Sequence, residues 1–204
     1  MIFSKKRKYI FISTPKTGTH SMFKLLQEEF DGERITPGFH RTELPPQVKD
    51  PHDYTVFSTV RNPYDRLIAL WNSLLHAKND KKGYRDVWLA KLKRDDLYTF
   101  TKFVAKKKND IEHIADLRLP QLVIPQYKWY QKMPSNVTPL HLENIEEEFN
   151  ALPFVDKHVS IPHALHRDHA SWDEVKTNEI IELANEWAGN DFELFGYKKE
   201  EPNN

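Results

Sequence analysis

Tyr9-Ile10-Phe11-Ile12-Ser13-Thr14-Pro15-Lys16-Thr17-Gly18-Thr19-His20-Ser21 is the stretch on which the fold turns. Its first four residues are a short apolar run, the pattern of a strand buried on both faces. Thr14 to Thr19 form a polar turn. From His20 onward Met22, Phe23, Leu25, Leu26 and Phe30 recur at helical spacing, so a helix follows directly. A strand, a tight turn holding lysine and glycine, and a helix are the pattern of an anion site, with amide N–H groups and the positive end of the helix dipole facing one point. The alternative is a plain connection whose Gly and Thr serve only as turn and cap. Gly18 lets the backbone come close, Lys16 supplies charge, and the hydroxyls of Thr17, Thr19 and Ser21 can donate hydrogen bonds. A Walker A loop needs G-x-x-x-x-G-K-[ST], with lysine after the second glycine. Here Lys16 precedes Gly18 and the loop has no upstream glycine, which weighs against an ordinary ATPase or GTPase.

Outward from this unit, a loop rich in Pro and Gly runs from about Thr36 to Asp53. Tyr54 to Val60 is a second β-branched and aromatic strand. It leads into Arg61-Asn62-Pro63, where Asn62 suits a helix N-cap and Pro63 the first helical position. Leu67, Leu70, Trp71, Leu74 and Leu75 make that helix's apolar stripe. The charged middle, about Lys78 to Asp116, is expected to be helical with Phe100, Phe103 and Val104 as its buried side. Val137 to Leu142 reads as a third strand, and Asn144 with Glu147 as a capping box opening another helix. A last helix is expected from about Asp173 to Trp187, with Phe192, Phe195 and Tyr197 packing the C-terminus onto the core. Two strand–turn–helix units predict an α/β fold with a mainly parallel central sheet flanked by helices. Ligands of such sheets bind at the carboxyl ends of the strands, where both turns fall.

The bulk composition sets the frame. At 204 residues the chain fits a single domain, residues 1–204. Thirty basic and thirty acidic residues cancel, which argues against a broad nucleic-acid surface while allowing a local basic pocket. The chain has no cysteine, so disulfides, thiolate chemistry and Cys-ligated zinc are excluded. Lys5 to Lys8 precede only four apolar residues before Ser13, too few for a signal peptide. No run approaches the ~20 apolar residues of a membrane span. The expectation is a soluble, unprocessed, cytoplasmic protein; its oligomeric state is not legible.

Pro15-Lys16-Thr17-Gly18-Thr19-His20-Ser21 resembles the 5′-phosphosulfate loop of sulfotransferases that use 3′-phosphoadenosine 5′-phosphosulfate (PAPS). Val60-Arg61-Asn62-Pro63-Tyr64-Asp65-Arg66-Leu67 is similar to the family's 3′-phosphate segment. Leu142-Glu143-Asn144-Ile145 and Asp191 to Tyr197 resemble late segments of the branch that includes carbohydrate sulfotransferases and many bacterial relatives. The resemblance implies a P-loop-like three-layer fold around PAPS. It implies sulfuryl transfer to a hydroxyl or amine acceptor, a glycan or a small molecule, with 3′-phosphoadenosine 5′-phosphate (PAP) as product and no metal required. Lys16 would meet the 5′-phosphate and the bridging oxygen, and Thr17, Gly18, Thr19, His20 and Ser21 would wrap the same phosphate. Arg61 would pair with the 3′-phosphate, and Arg66 would serve an ion pair with a carboxylate. His40, in Gly38-Phe39-His40-Arg41, is the expected general base, with Glu43 in reserve. The family usually has Ser eight positions after the motif arginine; this chain has Ala69, and Ser73 lies one turn further along the same face.

Three other readings stay open. One is a P-loop phosphotransferase, which would need a Walker-type lysine and Mg²⁺ ligands. Another is a sulfotransferase-like binding module without activity, suggested by Ala69. The third is a metal site at His163, His166 and His169, with His158 and Asp173 nearby. On a helix i, i+3 would bring His163 and His166 together, but His169 turns away, which favours a solvated or substrate-facing cluster.

Overall fold

The computed structural model describes residues 1–35, 44, 46–75, 96–107, 123–161 and 170–203. The chain forms two compact units. The first comprises residues 1–61 and 128–167, the second residues 62–127 and 168–204.

The first unit carries a five-stranded sheet in the order β3-β1-β2-β4-β5. Its strands are β1 (Ile2–Ser4), β2 (Tyr9–Phe11), β3 (Glu33–Arg34), β4 (Thr55–Val60) and β5 (Thr138–His141). The expected strands are β2, β4 and β5, and these three are parallel neighbours, with Phe11 opposite Phe57 and Val60 opposite His141. The other two pairings are antiparallel: β1 folds back on β2 as a hairpin, and β3 lines the outer edge of β1. The sheet is therefore mixed, where a mainly parallel one was expected. The cause is local. Lys5 to Lys8 form the hairpin turn, with Lys8 at φ 57° and the Arg7 amide donating to Ser4 Oγ at 3.2 Å.

Alternation along β2 explains its apolar run. Tyr9 and Phe11 enter a cluster with Phe57, with Met22, Phe23 and Leu26 of α1 (Thr19–Glu29), and with Phe30, which caps that helix. Ile10 and Ile12 pack on the other face with Met1, Phe3, Val48 and Val56. A strand with two buried faces needs apolar residues at every position. Phe149, on α5 (Ile145–Asn150), closes the first cluster edge-to-face on Phe30, with centroids 5.3 Å apart. The capping box expected at the start of α5 does not form: Asn144 occupies the N-cap without a side-chain bond. A capping box forms instead at Ser171 and Glu174.

The second unit is built on α2 (Pro63–Leu75), α3 (Leu97–Lys107), α6 (Trp172–Val175) and α7 (Asn178–Phe195). Asn62 Oδ1 accepts from the Tyr64 amide at 3.0 Å, which is the N-cap expected before Pro63. Leu67, Ile68, Leu70, Phe100, Val104, Ile181, Ala184, Trp187 and Phe192 form one buried cluster, with Phe103 at its margin. The expected last helix is in fact two. Thr177 breaks the run and caps α7 by accepting from the Ile180 amide, and α7 continues past Trp187 to Gly196, whose φ of 69° ends it. The helix α4 (Gln126–Tyr130) contains the sequence boundary between the units, after Tyr127. No helix among the described residues is long and apolar enough to cross a membrane.

Candidate phosphate site at the carboxyl ends of β2 and β4

Strand β2 passes its last ladder bond, Ile12 N–H to Phe57 O at 3.0 Å, and the chain then turns sharply. Lys16 (φ 67°) and Gly18 (φ 81°) both occupy the left-handed region. A lysine there costs of order 1–2 kcal/mol, and strain of this kind gathers at functional turns. Lys16 is half-buried. Gly18 is the N-cap of α1, whose first i to i−4 bond runs from Met22 N–H to Gly18 O at 3.2 Å. Having no side chain, Gly18 cannot cap the helix, and the first turn of α1 holds no acidic residue. The long helix α7 differs on both counts, with Thr177 as cap and Glu179 in its first turn. An uncapped start that lacks carboxylates is the electrostatic setting an anion requires.

The hydroxyls divide in a way the sequence did not reveal. Thr17 Oγ1 donates to Thr14 O at 2.9 Å and Thr19 Oγ1 donates to the same carbonyl at 3.0 Å. Thr17 has no exposed surface, and its hydroxyl lies 2.8 Å from that of Thr59. Both threonines thus spend their single hydroxyl proton inside the fold. What they can offer an anion is their backbone N–H. His20 and Ser21 complete the first turn of α1. Partial burial, then the charges of Lys16 and Arg34, push the His20 imidazole down, so it is neutral at neutral pH.

Arg61 is half-buried and follows the last residue of β4, in the strand parallel to β2. Lys16 and Arg61 therefore leave from the same edge of the sheet on neighbouring strands. Arg66, expected to serve an ion pair, is fully buried. Its Nη2 donates to Ile124 O at 2.8 Å, its guanidinium lies over the Trp187 ring, and its charge acts on the Asp191 carboxyl. Ser73 Oγ donates to Leu70 O at 3.0 Å, within its own helix, and Ala69 is buried on α2. The Ser73 hydroxyl proton is therefore committed to the helix backbone. His40 and Glu43 lie outside the described residues, as do His163, His166 and His169.

One hydrogen-bonded pair at this edge escaped the sequence reading. His141, opposite Val60 in register, places Nδ1 3.0 Å from Glu148 Oε1, and its amide donates to Glu148 Oε2 at 2.6 Å. The pair ties the end of β5 to α5 across seven residues. The signal available was a histidine ending a strand seven residues before a glutamate, too common to single out.

Gly18 tests the geometry of the turn. A Cβ there would meet Leu142 Cδ1 at 2.7 Å, the far end of a flexible side chain, so the positive φ is the larger obstacle. Gly18→Ala is expected to cost about 1–2 kcal/mol of stability, a melting temperature lower by several degrees. Thermal melts followed by circular dichroism check this; an unchanged Tm would mean that the turn relaxes without strain. Comparison with family models, with curated proteins and with solved structures finds no match for this chain.

Proposed function

We propose that the chain is a PAPS-dependent sulfotransferase with a P-loop-like active site at the carboxyl ends of β2 and β4. The observation that carries this reading is the pairing of two cationic turns on adjacent parallel strands. One is the left-handed Lys16-Thr17-Gly18 turn opening an uncapped helix, and the other holds Arg61. Two anion anchors one strand apart suit a nucleotide carrying phosphate at both the 5′ and 3′ positions. A single-phosphate site would need only the first.

PAPS supplies a sulfuryl group whose transfer leaves negative charge on the departing 5′-phosphate. Lys16 and the amides at the start of α1 are placed to stabilise that charge where it develops. Arg61 offers a planar fork of donors to the 3′-phosphate. His40 takes the proton from the acceptor hydroxyl or amine as its oxygen or nitrogen bonds to sulfur and the sulfur–oxygen bond to PAP breaks. The acceptor class proposed is a glycan or small-molecule hydroxyl or amine.

The test is calorimetric titration with PAP against ADP, which lacks the 3′-phosphate. PAP is expected to bind more tightly by at least about tenfold, and Arg61→Ala to erase most of that preference while leaving ADP binding nearly unchanged. Equal binding of both nucleotides by the unsubstituted protein would overturn the reading. Magnesium-dependent ATP turnover would favour a phosphotransferase, and PAP binding without transfer to any acceptor a binding module.

A further inference from the structure

Five hydroxyl side chains at the carboxyl ends of β2 and β4 have no exposed surface, Ser13, Thr14, Thr17, Ser58 and Thr59, and the last four pair across the two strands. Ser58 and Thr59 interrupt a strand that is otherwise apolar from Val56 to Val60. Burying a hydroxyl is costly unless it is bonded, and valine would fill the space of a threonine at lower cost. Here the hydroxyls make two bridges between the loop and β4. Thr14 Oγ1 lies 3.0 Å from Ser58 Oγ, and Thr17 Oγ1 lies 2.8 Å from Thr59 Oγ1. Since the Thr17 proton goes to Thr14 O, Thr59 is the donor in the second bridge. That bridge has one end next to Lys16 and the other two residues before Arg61. Thr14 O, accepting from both Thr17 and Thr19, anchors the loop end a second time.

We propose that the Thr59–Thr17 hydrogen bond sets the separation between the Lys16 turn and Arg61, and so makes the site selective for nucleotides phosphorylated at both the 5′ and 3′ positions. The inference rests on the nucleotide reading above and adds to it a pair of positioning residues that act through Lys16 and Arg61. A ligand with one phosphate uses one anchor and is indifferent to their spacing. A bisphosphorylated ligand of fixed length needs both anchors at once, and a misplaced anchor loses the benefit of simultaneous contact.

Thr59→Val removes the donor and keeps the shape. Measured by calorimetry with PAP and ADP, it is expected to lower the preference for PAP about fivefold, with ADP affinity within about twofold of the unsubstituted protein. Thr59→Ser keeps the hydroxyl and is expected to retain the preference. Thr17→Val cuts the same bond from its other end and also removes the donor to Thr14 O, so it is expected to lose at least as much of the preference, with the double variant losing no more than Thr17→Val alone. Should Thr59→Val fail to fold, Thr17→Val and Thr59→Ser carry the test. A folded valine variant that keeps the full preference overturns the proposal, as does one that weakens PAP and ADP equally, which would mark general support of the loop. Loss of the preference in Arg61→Ala but not in Thr59→Val overturns this inference alone. No preference in the unsubstituted protein overturns it together with the sulfotransferase reading.

Discussion

Lys16→Ala is expected to abolish sulfuryl transfer, lowering kcat by at least about 10²–10³-fold, the effect of removing one preorganised donor from a developing charge. It should also weaken PAP binding, because on the proposed reading the lysine would meet the 5′-phosphate in the ground state as well. The backbone adds a second reason for a large effect. Lys16 stands at φ 67°, a conformation an unbranched side chain adopts only at some cost, and alanine tolerates it no better. The variant therefore loses the charge without relieving the strain, and stability should change little. Lys16→Arg separates charge from placement: a guanidinium on a longer stem should recover binding more than turnover. His40→Ala should behave differently, lowering turnover about 10²-fold or more with PAP affinity intact. Single-turnover kinetics with calorimetry on the same preparations distinguishes the two residues. Normal transfer by Lys16→Ala would remove the lysine from the chemistry.

The parts of the fold that could be read from the sequence are those in which burial leaves a periodic mark. Tyr9 to Ile12 and Tyr54 to Val60 announce buried strands because two apolar faces leave no room for polar alternation. The helix at Thr19–Glu29 follows from a stripe that the structure buries at Met22, Phe23, Leu25 and Leu26. Ile2–Ser4 and Glu33–Arg34 are too short to show any period, and with them the antiparallel half of the sheet went unforeseen. The site divides in the same way. Lys16, Gly18 and Arg61 are legible because a strand-to-helix turn restricts what their residue types can do. A threonine in such a turn carries no sign of whether its hydroxyl faces a ligand or the fold. Thr17 and Thr19 face the fold, both donating to Thr14 O, and the one hint was Ser58-Thr59, two hydroxyls at the end of an apolar strand that pair with Thr14 and Thr17. Asp191 offered a clearer signal that was passed over. Ala184, Trp187, Ala188, Asp191, Phe192 and Phe195 share the buried stripe of α7, so a carboxylate at that spacing must be buried with partners.

Those partners make Asp191→Ala the substitution with the largest expected effect on stability. The carboxylate is fully buried and accepts from the Tyr127 amide at 2.7 Å and the Gln126 amide at 2.9 Å, with Gln126 Nε2 at 3.4 Å. It thereby caps the first turn of α4, which at five residues cannot hold itself. Burial pushes the Asp191 carboxyl up, against the pull of Arg66 and of these donors. Arg66 is itself without exposed surface, and its charge acts on this carboxyl. Alanine would remove that carboxyl and leave two helix-start amides without their acceptor. Leaving a buried donor unsatisfied costs about 1–3 kcal/mol, so losing both amide contacts lowers Tm for a chain of this length by roughly 10 °C. Asp191→Asn retains an acceptor for the amides and should lose only part of this. Arg66→Met removes the charge that Asp191 balances, so Asp191→Ala should cost less in that background than in the native one. Chemical denaturation of the four proteins of this cycle measures the coupling directly. Strict additivity would show that Asp191 acts only as the helix cap, with no share in balancing Arg66.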